Sequence, residues 1–403
     1  MTTSFFADVP VASPDVILGV TEAFRKDSDP RKVSLGVGIY QDGNGKIPVL
    51  KVIRHAAKQW FEAEENKSYL PIDGIASYNS ATQELLFGKG AQAIAENRIV
   101  TIQSVGGSGA LKLGADLIRR FLPDAAIYIS DPSWENHRAL FEGAGIKIET
   151  YPYYDATTHG LRRAEMLESL RNIPKRNAIL LHACCHNPTG VDLDINTWKE
   201  VIDICAEREL LPFIDFAYQG FAEGLEQDAA AIRMFADKGL SFLVLNSYAK
   251  SFSMYRERCG ALSVVTASSQ EATAVLSQLK KIVRSLYSSP PSYGAQLISI
   301  VLNSPELKKM WEEELGEMCA RIHSMRHLFC SKLAAAIPDH DFSFILQQRG
   351  MFSYSGLSAE MVRSLRERYH IYAIESGRIC VAAINEGNVD YICEAISGVL
   401  RAP

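Results

Sequence analysis

The middle of the chain alternates short apolar segments with longer amphipathic ones. Apolar runs at residues 98–104 (RIVTIQS), 210–217 (LLPFIDFA) and 240–247 (LSFLVLNS) predict strands, and residues 195–209 (INTWKEVIDICAERE) predict a helix. Further strands are predicted at residues 125–130, 147–153, 178–185 and 260–265. Repeated strand–helix alternation is typical of a mainly parallel sheet covered by helices on both faces, so the predicted fold class is α/β.

The pattern changes towards the C-terminus. Residues 304–337 read as one long helical stretch, and short apolar runs then alternate with two helices, as in an α+β domain. The 403 residues exceed the length of one ordinary domain. We therefore expect a change of domain near residue 310.

Charge and hydropathy narrow the class of partner. The formal net charge is −5 and there are no basic runs, which argues against a nucleic-acid or anionic-membrane surface but not against small anions. No apolar run reaches the roughly 18 residues of a membrane span. The N-terminal stretch MTTSFFADVPVASPDVILG has neither a signal-peptide nor a transit-peptide pattern. A cytoplasmic protein is expected.

The eight cysteines fall within apolar stretches and none forms a C-x-x-C pair. This distribution predicts reduced core residues and no metal site.

Two charged residues follow predicted strands. Asp215 ends the run LLPFID, and Lys250 comes shortly after the run SFLVLN. Taken singly, Asp215 could cap a turn and Lys250 could be an ordinary surface lysine. If the two strands are parallel, however, both side chains reach the same edge of the sheet, where open α/β sheets bind ligands.

A glycine-rich turn, Gly106 to Gly109, joins a predicted strand to a predicted helix. It could be an ordinary turn between a strand and a helix, or its backbone N–H groups could bind a phosphate. A dinucleotide fingerprint is excluded because Lys112 stands where the third glycine belongs. With Ser247 and Arg258 nearby, an aldehyde cofactor carrying a phosphate and a protonatable ring nitrogen would use all of these groups.

Ten stretches in a fixed order carry a family resemblance over nearly the whole chain. They are LGVGIYQDGNGKIPVL, YLPIDGIASYNSATQELLFG, QSVGGSGAL, DPSWENH, HACCHNPTG, FIDFAYQGFAEGL, SYAKSFSMYRERCG, SSPPSYGA, RGMFSYSG and SGRICVA. Together they resemble the class I aminotransferases of the aspartate and aromatic amino acid group, which depend on pyridoxal 5'-phosphate. The resemblance implies the type I fold: a large domain (46–310) with a mainly parallel seven-stranded sheet, and a smaller α+β domain (1–45 joined with 311–403).

The resemblance also implies a role for each matching residue. Lys250 would form the Schiff base with the cofactor, Asp215 would pair with its ring N–H, and Tyr218 completes the predicted catalytic set. The matches around the phosphate are Gly107, Ser108, Ser247 and Arg258. Asn187 and Tyr218 would bond the ring hydroxyl, and Trp134 would stack over the ring with His137 behind it. The matches at the substrate are Gly38, Trp134, Asn187 and Arg378. Arg378 would grip the α-carboxylate.

Two further matches imply a homodimer with shared sites. Tyr69 would reach the phosphate of the partner subunit, and Arg284 would bind the side-chain carboxylate of the partner's substrate. Arg284 favours aspartate, glutamate and their 2-oxo acids. Ile47, Ser108 and Ser289 resemble the aromatic members instead, and Gln41 stands where many aspartate enzymes have lysine. The resemblance therefore implies an enzyme that transfers the amino group of aspartate, and of aromatic amino acids, to 2-oxoglutarate.

Three alternatives stay open at this point. The first is an aromatic-preferring transaminase, or a lyase or decarboxylase on the same fold, although a lyase has no obvious use for Arg284. The second is a non-catalytic protein that keeps the scaffold. The third is a nicotinamide dehydrogenase, which the missing third glycine disfavours.

Overall fold

The computed structural model describes residues 4–12, 16–63 and 66–401. Parts of the predicted small domain (1–3, 13–15 and 402–403) and two residues of the predicted large domain (64–65) therefore lie outside the described residues.

Helices and short strands alternate through the described chain. The helices are α1 (Val16–Lys26), α2 (Lys51–Ala63), α3 (Ala76–Phe87), α4 (Gln92–Ala95), α5 (Gly106–Phe121), α6 (Glu135–Gly143), α7 (Arg163–Arg171), α8 (Ile195–Glu207), α9 (Leu225–Asp228), α10 (Ala230–Asp237), α11 (Ser269–Leu286), α12 (Tyr293–Asn303), α13 (Pro305–Ala336), α14 (Ala359–Tyr369) and α15 (Val389–Leu400). The strands are β1 (Val33–Ser34), β2 (Ile99–Val105), β3 (Ile127–Asp131), β4 (Ile148–Pro152), β5 (Tyr154–Asp155), β6 (Gly160–Leu161), β7 (Ala178–His182), β8 (Leu211–Phe216), β9 (Phe242–Ser247), β10 (Cys259–Val265), β11 (Phe352–Tyr354), β12 (Ile371–Tyr372) and β13 (Arg378–Cys380).

The main sheet has seven strands in the order β2-β10-β9-β8-β7-β3-β4. Strands β4, β3, β7, β8 and β9 run parallel, and β10 is antiparallel to both of its neighbours. The carboxyl ends of β7, β8 and β9 therefore meet at one edge, close to the point where β2 leads into α5. The predicted seven-stranded, mainly parallel sheet is confirmed.

The two faces of this sheet are buried under different helices. On β7, Ala178 and Leu180 belong to one apolar cluster, which includes α5 and α11, whereas Ile179 and Leu181 belong to a larger one, which includes α3, α8 and α13. This alternation follows from the two-residue period of a strand. It explains why these strands read as continuous apolar runs.

The C-terminal part packs around α13, a helix of 32 residues. Strands β11 and β13 pair antiparallel, and β1, from the N-terminal part of the chain, pairs parallel with β12. The predicted domain change at residue 310 falls inside α13, which continues through it. The boundary itself stays a prediction.

Two details differ from the expectation. Strand β7 ends at His182, three residues before the predicted end, so Cys184 and Cys185 are not strand neighbours. Helix α5 begins at Gly106, so the glycine-rich segment is the first turn of the helix rather than a loop before it. All eight cysteines are free thiols, and seven of them are buried. Among the described residues, no helix is both long and apolar enough to cross a membrane.

Candidate active site

A cavity of about 210 Å³ opens at the carboxyl edge of the main sheet. Asp215 on β8 lines it, and the register places His182 of β7 beside Asp215. Ser247 ends β9, and Lys250 follows three residues later. The parallel strands thus bring the predicted carboxylate and the predicted amine into one cavity.

Asp215 is a buried carboxylate, 8% exposed. Its Oδ2 lies 3.0 Å from Nε2 of His137, and Nδ1 of His137 lies 2.9 Å from the hydroxyl of Ser133. Burial is the largest influence on the carboxyl group and would raise its pKa. The hydrogen bond from His137 and the electrostatic effect of the neighbouring basic side chains, Lys250 among them, outweigh burial and hold the pKa of Asp215 below its usual value. Asp215 is therefore ionised at neutral pH.

Lys250 is partly buried, and its Nζ lies 4.7 Å from the ring centroid of Tyr218. Burial lowers the pKa of Lys250 to about 8, against the opposing effect of Asp215, and the cation of Arg258 lowers it further. An amine with this pKa is neutral in an appreciable fraction of molecules near neutral pH. It can therefore attack an aldehyde or take a proton.

The first turn of α5 forms a cup for an anion. No side chain caps this helix, so its first N–H groups are free to bind a ligand. Gly106 has a φ of 65°, and a Cβ at that position would lie 2.7 Å from Nη2 of Arg258. A Cβ on Gly107 would lie 3.2 Å from Cβ of Ser247. Ser108 lines the same cavity, so backbone donors, a hydroxyl and a guanidinium converge there.

Arg378 lies on the other side of the cavity and is only 1% exposed. Its Nη1 donates to Oδ1 of Asn187 at 3.0 Å and its Nη2 to the carbonyl of Gly36 at 2.7 Å. The guanidinium carbon lies 4.3 Å from the ring centroid of Phe352. The structure contains no ion pair to Arg378 from any described carboxylate. A buried cation of this kind is stabilised when a carboxylate binds it.

Aromatic and polar groups complete the cavity wall. Trp134 precedes α6, and its ring meets that of His137 edge to face at 5.2 Å. Tyr218 is buried, and burial raises the pKa of its phenol. Its hydroxyl, like the amide nitrogen of Asn187, makes no hydrogen bond to another described protein group, so both can donate to a ligand. Gly38 also lines the cavity.

These residues fit the cofactor that the resemblance implies. The cup at α5 would hold its phosphate, and glycine is favoured at position 106 because its φ of 65° strains other residues and a side chain there would displace the Arg258 guanidinium. Asp215 would meet the ring nitrogen, Asn187 and Tyr218 the ring hydroxyl, and Lys250 the aldehyde carbon. The predicted residues that line the one cavity are Gly38, Gly107, Ser108, Trp134, Asn187, Asp215, Tyr218, Ser247, Lys250, Arg258 and Arg378.

Two predicted residues do not reach this cavity. Tyr69 is 92% exposed and lies beside a separate surface hollow. Arg284 is exposed in the last turn of α11 and donates a hydrogen bond to Ser288. Within one chain, neither can perform its predicted role, and the resemblance assigns both to the partner's site.

Sequence reasoning missed six residues that line the cavity: Ile17, Val37, Leu111, His182, Ala217 and Phe352. Burial lowers the pKa of His182 to about 3, and its Nε2 has no hydrogen-bond partner in the described structure. A signal for it existed, since it stands at a strand end as Asp215 does. The ligating atoms of His137, His182 and Asp215 lie within 4.8 Å of one another, a spacing that a metal could use. The absence of a metal site stays a prediction.

Comparison with known proteins covers the whole length. The family model described as "Aminotransferase class I and II" matches residues 30–396. The aspartate aminotransferase of Pseudomonas aeruginosa is 54% identical over 98% of this chain and all of its own length. The aromatic-amino-acid aminotransferase of Escherichia coli is 46% identical with the same coverage.

A solved structure matches as closely. The crystal structure of an aromatic-amino-acid aminotransferase from Burkholderia pseudomallei, covalently bound to pyridoxal phosphate, superimposes with a TM-score of 0.96. The two chains are 52% identical, and the match covers 99% of this chain and 100% of that one.

Proposed function

The chain belongs to the class I and II aminotransferases and is a pyridoxal phosphate-dependent transaminase, and from this premise we propose that it moves the amino group of aspartate, and of aromatic amino acids, to 2-oxoglutarate. One observation carries the proposal. A buried carboxylate, an amine of lowered pKa, an anion cup and a buried arginine line one cavity of about 210 Å³.

We propose the following roles. Bound pyridoxal phosphate supplies an aldehyde that takes up the amino group and a protonated ring that withdraws electrons from the substrate's Cα–H bond. Asp215 accepts a hydrogen bond from the ring nitrogen and keeps it protonated, an interaction worth roughly 1.5–3 kcal/mol for a charged pair. His137 and Ser133 hold that carboxylate in place.

Lys250 and Arg378 act on the substrate, Lys250 by proton transfer and Arg378 by binding its α-carboxylate. Nζ of Lys250, neutral in part near pH 8, would take the proton from the substrate's Cα and deliver it to the cofactor carbon that carried the aldehyde. The planar fork of Arg378 binds the α-carboxylate with two hydrogen bonds and so orients the Cα–H bond. Since the amino group is held by the enzyme between donor and acceptor, the cycle consists of two half-reactions.

Breadth towards aromatic donors is supported by the apolar side of the cavity. Ile17, Val37 and Phe352 line it together with the polar groups, and apolar walls lower the cost of admitting a phenyl ring. Ile47, Ser108 and Ser289 point the same way by resemblance. Relatives of both specificities match the whole chain.

We further propose a cytoplasmic homodimer in which Tyr69 and Arg284 serve the neighbouring site. Both side chains are exposed in one chain and lie outside its cavity. An exposed tyrosine of this kind is a common feature of protein interfaces.

Initial rates with aspartate, tyrosine and phenylalanine, each paired with 2-oxoglutarate, test the donor range. All three donors should form their 2-oxo acids. Repeated turnover should occur only when 2-oxoglutarate is present as the acceptor. Lys250→Ala is the control and should abolish all three rates. Negligible turnover of tyrosine and phenylalanine would leave a strict aspartate enzyme, and release of ammonia or carbon dioxide would show a lyase.

A further inference from the structure

A second buried arginine, Arg326, lies in the middle of α13 and is 3% exposed. Its guanidinium binds three backbone carbonyls. Nη1 donates to the carbonyl of Ile345 at 3.2 Å, and Nη2 donates to those of Gly350 at 2.7 Å and Phe352 at 2.9 Å. One side chain thus holds the short segment that runs from a 3-10 turn (Ser343–Gln347) into β11.

The cation of Arg326 is held by backbone carbonyls. It forms no ion pair with a carboxylate in the described part of the chain, and its Nε has no partner. Burial lowers the pKa of Arg326 to about 10, so it remains a cation at neutral pH. Burying a cation costs several kcal/mol, which the hydrogen bonds to three buried carbonyls must offset. The three charge-assisted bonds therefore point to a position that must be held firmly.

The segment held by Arg326 supports the substrate-binding arginine. The ring of Phe352 stacks on the Arg378 guanidinium, with the guanidinium carbon 4.3 Å from the ring centroid. In the β11–β13 pair, Phe352 faces Cys380 and Tyr354 faces Arg378. The same ring packs so tightly on Gly38 that a Cβ there would lie 2.4 Å from Cζ of Phe352. Any shift of the Phe352 backbone therefore moves a wall of the cavity and the support of Arg378.

We infer that Arg326 is a positioning residue for the substrate α-carboxylate, acting through Phe352 on Arg378. The inference rests on the proposed function, since it assumes that Arg378 binds the carboxylate. It assigns to α13 an indirect part in recognition. The helix sets the position of the segment against which the guanidinium of Arg378 stacks.

Arg326→Lys and Arg326→Met test this inference in the holoenzyme. We expect the KM for aspartate and the dissociation constant of succinate, measured by calorimetry, to rise on the order of ten-fold in Arg326→Met, because a displaced clamp binds a carboxylate poorly. Arg326→Lys keeps the positive charge but loses the guanidinium that bonds three carbonyls at once. The rise in KM and in the dissociation constant of succinate should therefore be smaller than in Arg326→Met. The dissociation constant of the cofactor should change less than that of succinate, since the three carbonyls that Arg326 binds belong to none of the residues assigned to the cofactor.

Arg208→Met is the matched control. Arg208 also donates two hydrogen bonds to a backbone carbonyl, that of Ile173 at 3.3 and 3.1 Å, but lies outside the cavity. The Arg208→Met variant should have a lower unfolding temperature but an unchanged KM for aspartate and an unchanged affinity for succinate. If Arg326→Met and Arg326→Lys also lower only the unfolding temperature, Arg326 is merely structural and the inference is wrong.

A double-mutant cycle keeps the test valid if Arg326→Met does not fold. Arg326→Lys and Phe352→Leu are combined and succinate affinity is measured. If Arg326 acts through Phe352, the double variant loses less affinity than the product of the single losses, whereas independent effects would multiply and overturn the inference. Failure of the proposed function would look different, because the unaltered enzyme would then not transaminate aspartate at all.

Discussion

At the scale of single residues, the chemistry depends on opposing influences on Lys250. Burial favours the neutral amine and Asp215 favours the ammonium ion. The cation of Arg258 also favours the neutral amine. Burial prevails, which places the pKa of Lys250 at about 8 rather than near the 10.4 of an ordinary lysine. Asp215, which we propose meets the ring nitrogen of the cofactor, thus also limits how far the pKa of Lys250 can fall.

The pH dependence of Lys250 reactivity checks this balance. In cofactor-free protein, reductive methylation of Lys250 by formaldehyde and cyanoborohydride, followed by mass spectrometry, should increase with pH through a midpoint near 8, since only the neutral amine attacks. Asp215→Asn should lower the midpoint, because burial then acts without the opposing carboxylate. Arg258→Met should raise it, because a nearby cation is removed. Identical midpoints in all three proteins would contradict the assigned causes.

At the scale of elements, helix α5 must lie close to the sheet if its N-terminus is to bind the phosphate as proposed. Gly114 makes this approach possible. A Cβ there would lie 2.4 Å from Cζ of Phe213 and 3.2 Å from Cδ2 of Leu243. Any side chain at position 114 would push the helix, and with it the phosphate cup, away from β8 and β9.

Alanine at two helical glycines separates close packing from helix propensity. Gly114→Ala should lower the free energy of unfolding by about 1–3 kcal/mol through overpacking and should also weaken cofactor binding. Gly316→Ala, in α13, adds a Cβ that meets nothing within 4 Å and should raise the free energy of unfolding by up to about 1 kcal/mol. Denaturant unfolding and cofactor titration measure both effects. Stabilisation by Gly114→Ala would show that α5 can move without cost.

At the scale of the whole molecule, Tyr69 and Arg284 lie outside the cavity of their own chain. In the proposed dimer each chain lends these side chains to its neighbour. Activity would then depend on the combination of two chains, which distinguishes a shared site from two independent ones.

Hybrid dimers of Lys250→Ala and Arg284→Ala chains test the shared site with aspartate. Each variant alone should be nearly inactive. In a hybrid, the site with an intact Lys250 receives an intact Arg284 from the other chain, so mixing by co-expression should restore activity. If Arg284 acted within its own chain, neither site of the hybrid would be complete and no activity would return. Gel filtration of each variant establishes that dimers form.

Much of the site could be predicted because its residues stand at the ends of local patterns. Asp215 and Lys250 follow apolar runs, and parallel strands deliver such residues to one edge of a sheet. The roles of Arg378 and Trp134 required the resemblance, since no periodicity marks them. Arg326 could not be predicted, because an arginine within an amphipathic helix reads as a solvent-exposed residue until the fold buries it.

The sequence by itself determined the alternation of strands and helices, the α/β class and the place of Asp215 and Lys250 after apolar runs, because periodicity and turn chemistry act over a few neighbouring residues. Only the tertiary structure decided the antiparallel direction of β10, the place of His182 beside Asp215, and the support of Arg378 by Phe352 and Gly36. These features join residues far apart in the chain. Their geometry depends on how strands align and side chains pack across the whole molecule, which no local pattern encodes.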